Sequence, residues 1–124
     1  MKITPVLYVD KIEDSLPFWM ERLGFQKTVE VPEGEALGFV ILVKENEEVM
    51  LQSWASLRKD APRLMPASKG MNVAFFMEVD NFEDTVKRIQ GCNIVLPERT
   101  TFYGMREIGV REPCGHIVVF AAKS

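Results

Sequence analysis

The chain has 124 residues, 47% of them hydrophobic and 27% charged, and a net charge of −3. Those values exclude a disordered chain and describe one ordinary globular domain, with roughly two-thirds of the unfolded surface buried on folding. The acidic balance argues against nucleic acid as the partner. No apolar run is long enough to span a bilayer, and MKITPVLYVD lacks a signal-peptide layout, so a cytoplasmic protein with no membrane association is expected. The two cysteines, Cys92 and Cys114, then read as thiols and not as a disulfide. His116 is the one histidine. A transition-metal site usually recruits several His or Cys ligands, which this composition cannot supply.

In chain order, the first strand signal covers residues 3–9, followed by the segment Val9-Asp10-Lys11-Ile12-Glu13-Asp14-Ser15. Leu16, Trp19, Met20 and Leu23 then share one helical face, and Gly24 closes the helix. Pro17 belongs in a first turn, so the helix is expected to begin near Glu13 or Asp14. Strands follow at 25–31, 37–44 and 48–53, separated by Pro32-Glu33-Gly34 and by Glu45-Asn46-Glu47. Residues 55–70 read as a linker containing Pro62 and Pro66.

The pattern then repeats. Val79-Asp80-Asn81-Phe82-Glu83-Asp84-Thr85 follows the first copy at an offset of 70, with four of its seven positions identical. A strand signal at 73–79 precedes it, and a shorter helix ending at Gly91 follows. Three more strands are expected at 93–96, 105–111 and 117–122, the last two joined by Glu112-Pro113-Cys114-Gly115. The fold class is α+β, two βαβββ modules at about 1–54 and 71–124 within one domain. A module this small exposes one sheet face, so a shared core or a two-fold homodimer is expected.

Such a duplication resembles the vicinal oxygen chelate superfamily of glyoxalases, ring-cleaving dioxygenases and bleomycin-resistance proteins. The resemblance lies in Val9, Ser15, Phe18-Trp19 and Leu23-Gly24-Phe25, and in Gly104-Met105-Arg106-Glu107 running on to Glu112-Pro113-Cys114-Gly115. Glu112 stands where the family usually has Asp, and His116 where it commonly has Asn. The resemblance implies a curled mixed-sheet cup. In the family's enzymes four strands each give a metal ligand, at positions that read here as Thr4, Gln52, Ala74 and Val119. Only Gln52 is a good ligand, so the resemblance points to the metal-free, bleomycin-resistance-like branch, with no cofactor and no catalytic residue.

Strand alternation puts Thr4, Val6 and Tyr8 on one face with Met50, Gln52 and Trp54, and likewise Asn72, Ala74 and Phe76 with Ile117 and Val119. That lining is apolar and aromatic with a few polar handles, the make-up of a small-molecule pocket. The candidate ligand-binding residues are Tyr8, Met50, Gln52, Trp54, Phe76, Phe102 and Tyr103, the last two at the rim. The expected function is binding or sequestration of a small aromatic or cationic compound, as in antibiotic resistance. Two other readings stand beside it. One is a metal-dependent lyase, isomerase or dioxygenase with atypical ligands such as Gln52 and Glu107; the other is a non-catalytic dimeric interaction module.

Overall fold

The computed structural model describes residues 2–66 and 73–124, and the chain divides into two compact units, Met1–Lys69 and Gly70–Ser124. Each unit builds one four-stranded mixed sheet with short helices on one face, so the class is α+β. The expected sheet-face residue Asn72 lies outside the described residues.

In the first unit, β1 (Val6–Val9) pairs in parallel with β4 (Glu47–Ser53). Antiparallel β3 (Ala36–Lys44) and β2 (Gln26–Glu33) complete the order β1-β4-β3-β2. Leu7, Val9, Val40, Leu42, Val49 and Leu51 point to one face and are all buried. Helix α1 (Ile12–Leu16) and the π-helical turn Pro17–Arg22 cover that face. Trp19, with no exposed surface, meets Phe18 and Phe25 edge-on, each at 5.4 Å between ring centroids. Such pairs add to the gain from burial alone.

Helix α1 starts earlier than expected, at Ile12, so Pro17 follows its last residue and is not part of its first turn. A proline there removes one i→i−4 bond, and the chain widens at that point into a π turn. The Leu23 amide accordingly donates to the Phe18 carbonyl, five residues back, at 3.1 Å. Gly24 then reverses the chain at φ 83°.

The segment expected as a linker begins with helix α2 (Trp54–Asp60), followed by a 3₁₀ turn at Pro62–Leu64. Ser53 starts α2 by accepting the Ser56 amide at 3.1 Å, and Leu57 buries all but 1% of its surface. Pro62 and Pro66 mark a break only after the helix, and the Ser53 cap with the apolar anchor Leu57 four residues on outweighs them.

The second unit repeats the topology. Its β5 (Ala74–Glu78) runs parallel to β8 (Ile117–Lys123), with β7 (Met105–Arg111) and β6 (Asn93–Thr100) antiparallel in the order β5-β8-β7-β6. Helix α3 (Phe82–Arg88) packs Phe82 among the buried residues, and Ile89, just past its end, is buried with Ile108, Val110, Val118 and Phe120. Strand β6 runs four residues past its expected end at 96 and includes Pro97. An edge strand tolerates a proline, and the register shift between Leu96 and Arg99 absorbs it. Among the described residues no helix is long and apolar enough to cross a membrane.

Candidate functional site

On the first unit's sheet, helices cover one face, and the other is half open. Register aligns Tyr8, Gln52 and Phe39 across neighbouring strands, with Val31 beyond them. The next row is Val6, Met50, Ile41 and Val29. Cross-strand partners share a face, so these eight residues make an apolar surface with Gln52 as its one amide. Trp54 reaches the same place from the first position of α2 and not from the strand. Its ring lies 5.4 Å from Tyr8 at 41°. Of the expected ligand-binding residues, Tyr8, Met50, Gln52 and Trp54 are therefore brought together on this unit, all half-buried.

Gln52 is oriented from α2, since its Nε2 donates to Ser56 Oγ at 3.1 Å. At the far end of the face Glu48 accepts from Thr4 Oγ1 at 3.0 Å and pairs with Lys2 at 3.2 Å. The Lys2 ammonium first, and the Thr4 hydroxyl second, hold the Glu48 carboxyl below its ordinary range.

The second unit's open face carries Phe76, 54% exposed, beside Val119, Gly109 and Leu96. The adjacent row is Glu78, Ala121, Glu107 and Arg99. Glu107 is only 3% exposed. Arg99 caps it by donating from Nε and Nη2 to the same Oε1 atom, each at 3.0 Å, while the Tyr103 hydroxyl donates to Oε2 at 3.3 Å. A carboxylate buried in this way is satisfied by two neighbours that are themselves in water.

Phe102 and Tyr103 stand out from the turn between β6 and β7, 100% and 59% exposed. They meet edge-on at 5.0 Å. The turn is closed by the Thr101 amide on the Met105 carbonyl and by the Met105 amide on Thr101 Oγ1. Arg106, next to Glu107 in sequence, belongs to the opposite face. It pairs with Glu83 and Glu98 and lies 4.5 Å from the Phe82 ring centroid. His116 is part of a hairpin turn, where its amide donates to Oε1 of the buried Glu112 at 3.1 Å. A glutamate thus closes this turn where the family usually has an aspartate.

The sequence reading missed the open-face residues Phe39, Ile41, Val29 and Val31 of the first unit and two charged ones of the second. Arg99 meets Glu107 only because of the register shifts around Pro97, which no periodicity encodes. Glu78 could have been found, because it alternates with Phe76 along β5.

A family model described as the Glyoxalase/Bleomycin resistance protein/Dioxygenase superfamily matches residues 3–120. The chain belongs to that superfamily. Solved structures agree in fold, among them TioX from Micromonospora sp. ML1, at 17% identity and TM-score 0.78 over 100% of this chain and 99% of that one. A glyoxalase/bleomycin resistance protein/dioxygenase from Nocardioides is 21% identical with TM-score 0.75, covering 99% of this chain and 83% of the other. Lactoylglutathione lyase from Agrobacterium tumefaciens is 13% identical with TM-score 0.76, over 98% and 92%. No curated protein sequence matches the chain.

Strand register relates the expected ligand positions to one another. Val6 and Phe76 are repeat counterparts, and they pair with Met50 and Val119 respectively. Met50 is therefore the counterpart of Val119, whereas Gln52 corresponds to Ala121 one pair further along. The four positions expected from the resemblance, Thr4, Gln52, Ala74 and Val119, thus do not form two matching pairs. With Met50 added they supply a hydroxyl, a carboxamide, a thioether and hydrocarbon, and no carboxylate or imidazole. Glu107, the other ligand considered, has both its oxygens hydrogen-bonded, by Arg99 and Tyr103.

Proposed function

We propose that this superfamily member binds and sequesters a small, flat, aromatic or cationic compound without the help of a metal. The observation that supports this most is the pairing of Trp54 with Tyr8 beside Met50 and Gln52 on the open face of the first unit. An indole and a phenol ring offer a stacking surface, Met50 a deformable wall, and the Gln52 carbonyl an acceptor that fixes orientation. The donor sets at the superfamily's ligand positions support a role other than metal-assisted lyase or dioxygenase chemistry. On the second unit, Phe76, Phe102 and Tyr103 are proposed as contacts on that unit's own face.

The test is a thermal-shift screen against flat heteroaromatics, with acridine and N-methylacridinium included. A ligand at 100 times its dissociation constant stabilises the fold by about 2.7 kcal/mol, which a melting curve resolves readily. A reading of sequestration fails if nothing in the screen moves the transition. It also fails if turnover of a bound compound is detected.

The same proposal includes a two-fold dimer in the cytoplasm, because each sheet leaves an apolar face uncovered by its own helices. Strand β1 is an edge strand entered from Pro5, whose carbonyl accepts the Met50 amide at 3.0 Å. Light scattering at micromolar concentration is expected to give twice the chain mass, and a monomeric mass would refute the dimer.

A further inference from the structure

The second unit carries an exposed carboxylate, Glu78, beside an exposed aromatic ring. Glu78 lies on the open face of β5, two residues from Phe76, so the two side chains stand about 7 Å apart along the strand. Both are exposed. Across the sheet their partners are Val119 and Ala121, which present hydrocarbon and no charge. The other carboxylate in the row, Glu107, has its charge met by Arg99. Among the described residues no hydrogen bond or ion pair reaches the Glu78 side chain. Among the described residues the row therefore holds one uncompensated negative charge, beside an exposed aromatic ring.

We infer that Phe76 and Glu78 form a cation-selective subsite, which takes a ligand with a fixed positive charge on a flat ring system. This rests on the binding-protein reading and, for the second unit's own face, narrows it from aromatic compounds in general to organic cations. A ring cation satisfies both groups at once. It can lie over the face of Phe76, whose quadrupole attracts positive charge, while Glu78 supplies the counter-ion. The half-buried Val119 beside Phe76 adds an apolar contact. A neutral ring loses both electrostatic contributions, and an anion meets Glu78 as a like charge. The repeat counterpart of Glu78 is Tyr8, so duplication has left a ring at this position in one module and a charge in the other.

A charge on an edge strand also discourages pairing with other chains, and β5 is an edge. That role is indifferent to the charge of a ligand, which gives the test its discrimination. N-Methylacridinium and acridine are nearly the same size, and at pH 8 only the first is charged. Their affinities for the wild-type protein, Glu78→Gln and Phe76→Leu are measured by fluorescence titration, with melting curves to confirm that each variant folds. The inference predicts that wild type prefers the cation about tenfold, and that Glu78→Gln removes the preference while acridine binds as before. Phe76→Leu should weaken both probes, the cation more. Raising the salt concentration should weaken the cation alone. Equal affinities in wild type, or a preference unchanged in Glu78→Gln, overturn the subsite while leaving the binding-protein reading in place. Failure of both probes to bind wild type overturns the two together.

Discussion

The Glu13 carboxylate accepts the backbone amide of Leu37 at 2.9 Å, fastening α1 to the start of β3. Its repeat counterpart Glu83 makes the same tie through a side chain, pairing with Arg106 on β7. The two modules thus use one acidic position for one purpose with different partners. The Leu37 amide is the main cause holding the Glu13 carboxyl below its ordinary value of 4.5.

A folded-state value below the unfolded one stabilises the protein at every pH above the unfolded value. That contribution disappears as pH falls through the folded value. Glu13→Gln keeps an oxygen for the Leu37 amide and removes the titration. Wild type is therefore expected to exceed Glu13→Gln in urea midpoint at pH 7, with the gap closing below pH 4.5. A gap of constant size from pH 7 to pH 3 would show that Glu13 contributes nothing through its charge.

Arg99→Ala should destabilise the second unit by about 1–3 kcal/mol, the cost of a buried carboxylate that loses its donors. The upper range for broken buried pairs does not apply, because the Arg99 side chain is 56% exposed and water can replace part of it. Glu107→Gln should cost less, since its carbonyl can still accept from Tyr103 or Arg99. Chemical denaturation of both variants checks the order. Equal stability of Arg99→Ala and wild type would mean that Tyr103 alone satisfies Glu107.

Much of the architecture was legible because it is written twice. The repeated Val-Asp…Glu-Asp segment located both helices, and strand alternation assigned the buried and open faces around them. What stayed hidden depends on long-range register. Gln52 and Met50 differ by one strand step, and only pairing with β1 shows that Met50 matches Val119. The Arg99–Glu107 pair depends on two shifts in β6, and a one-residue error there would turn Arg99 to the other face. Helix α2 is concealed by the prolines that follow it, Pro62 and Pro66, although Ser53 and Leu57 announce it.

Purified protein should contain transition metal far below one atom per chain. Thr4, Gln52, Ala74 and Val119, the positions that the superfamily resemblance points to, provide one amide and no carboxylate or imidazole. Elemental analysis for zinc, iron, manganese and nickel after purification without chelators is the measurement. One equivalent of any of them would reopen the lyase and dioxygenase readings.

Trp54→Ala should weaken binding of a flat aromatic probe by roughly 1–3 kcal/mol, the range for losing a stacking ring. The fold should survive. Trp54 is half-buried at the first position of α2, and the helix keeps its Ser53 cap and its Leu57 anchor. Losing the indole from its tilted pair with Tyr8 at 5.4 Å costs about 0.5–1.5 kcal/mol of stability, which a melting curve will register without unfolding the protein. The chain's second tryptophan makes the experiment sharper. Trp19 has no exposed surface, so a small ligand can quench Trp54 and leave Trp19 emitting. Saturating acridine should therefore remove more of the intrinsic emission in wild type than in Trp54→Ala. Tyr8→Leu should reduce affinity without abolishing the quenching, because the indole stays in place. Binding and quenching that are identical in wild type and Trp54→Ala would move the ligand off this face altogether.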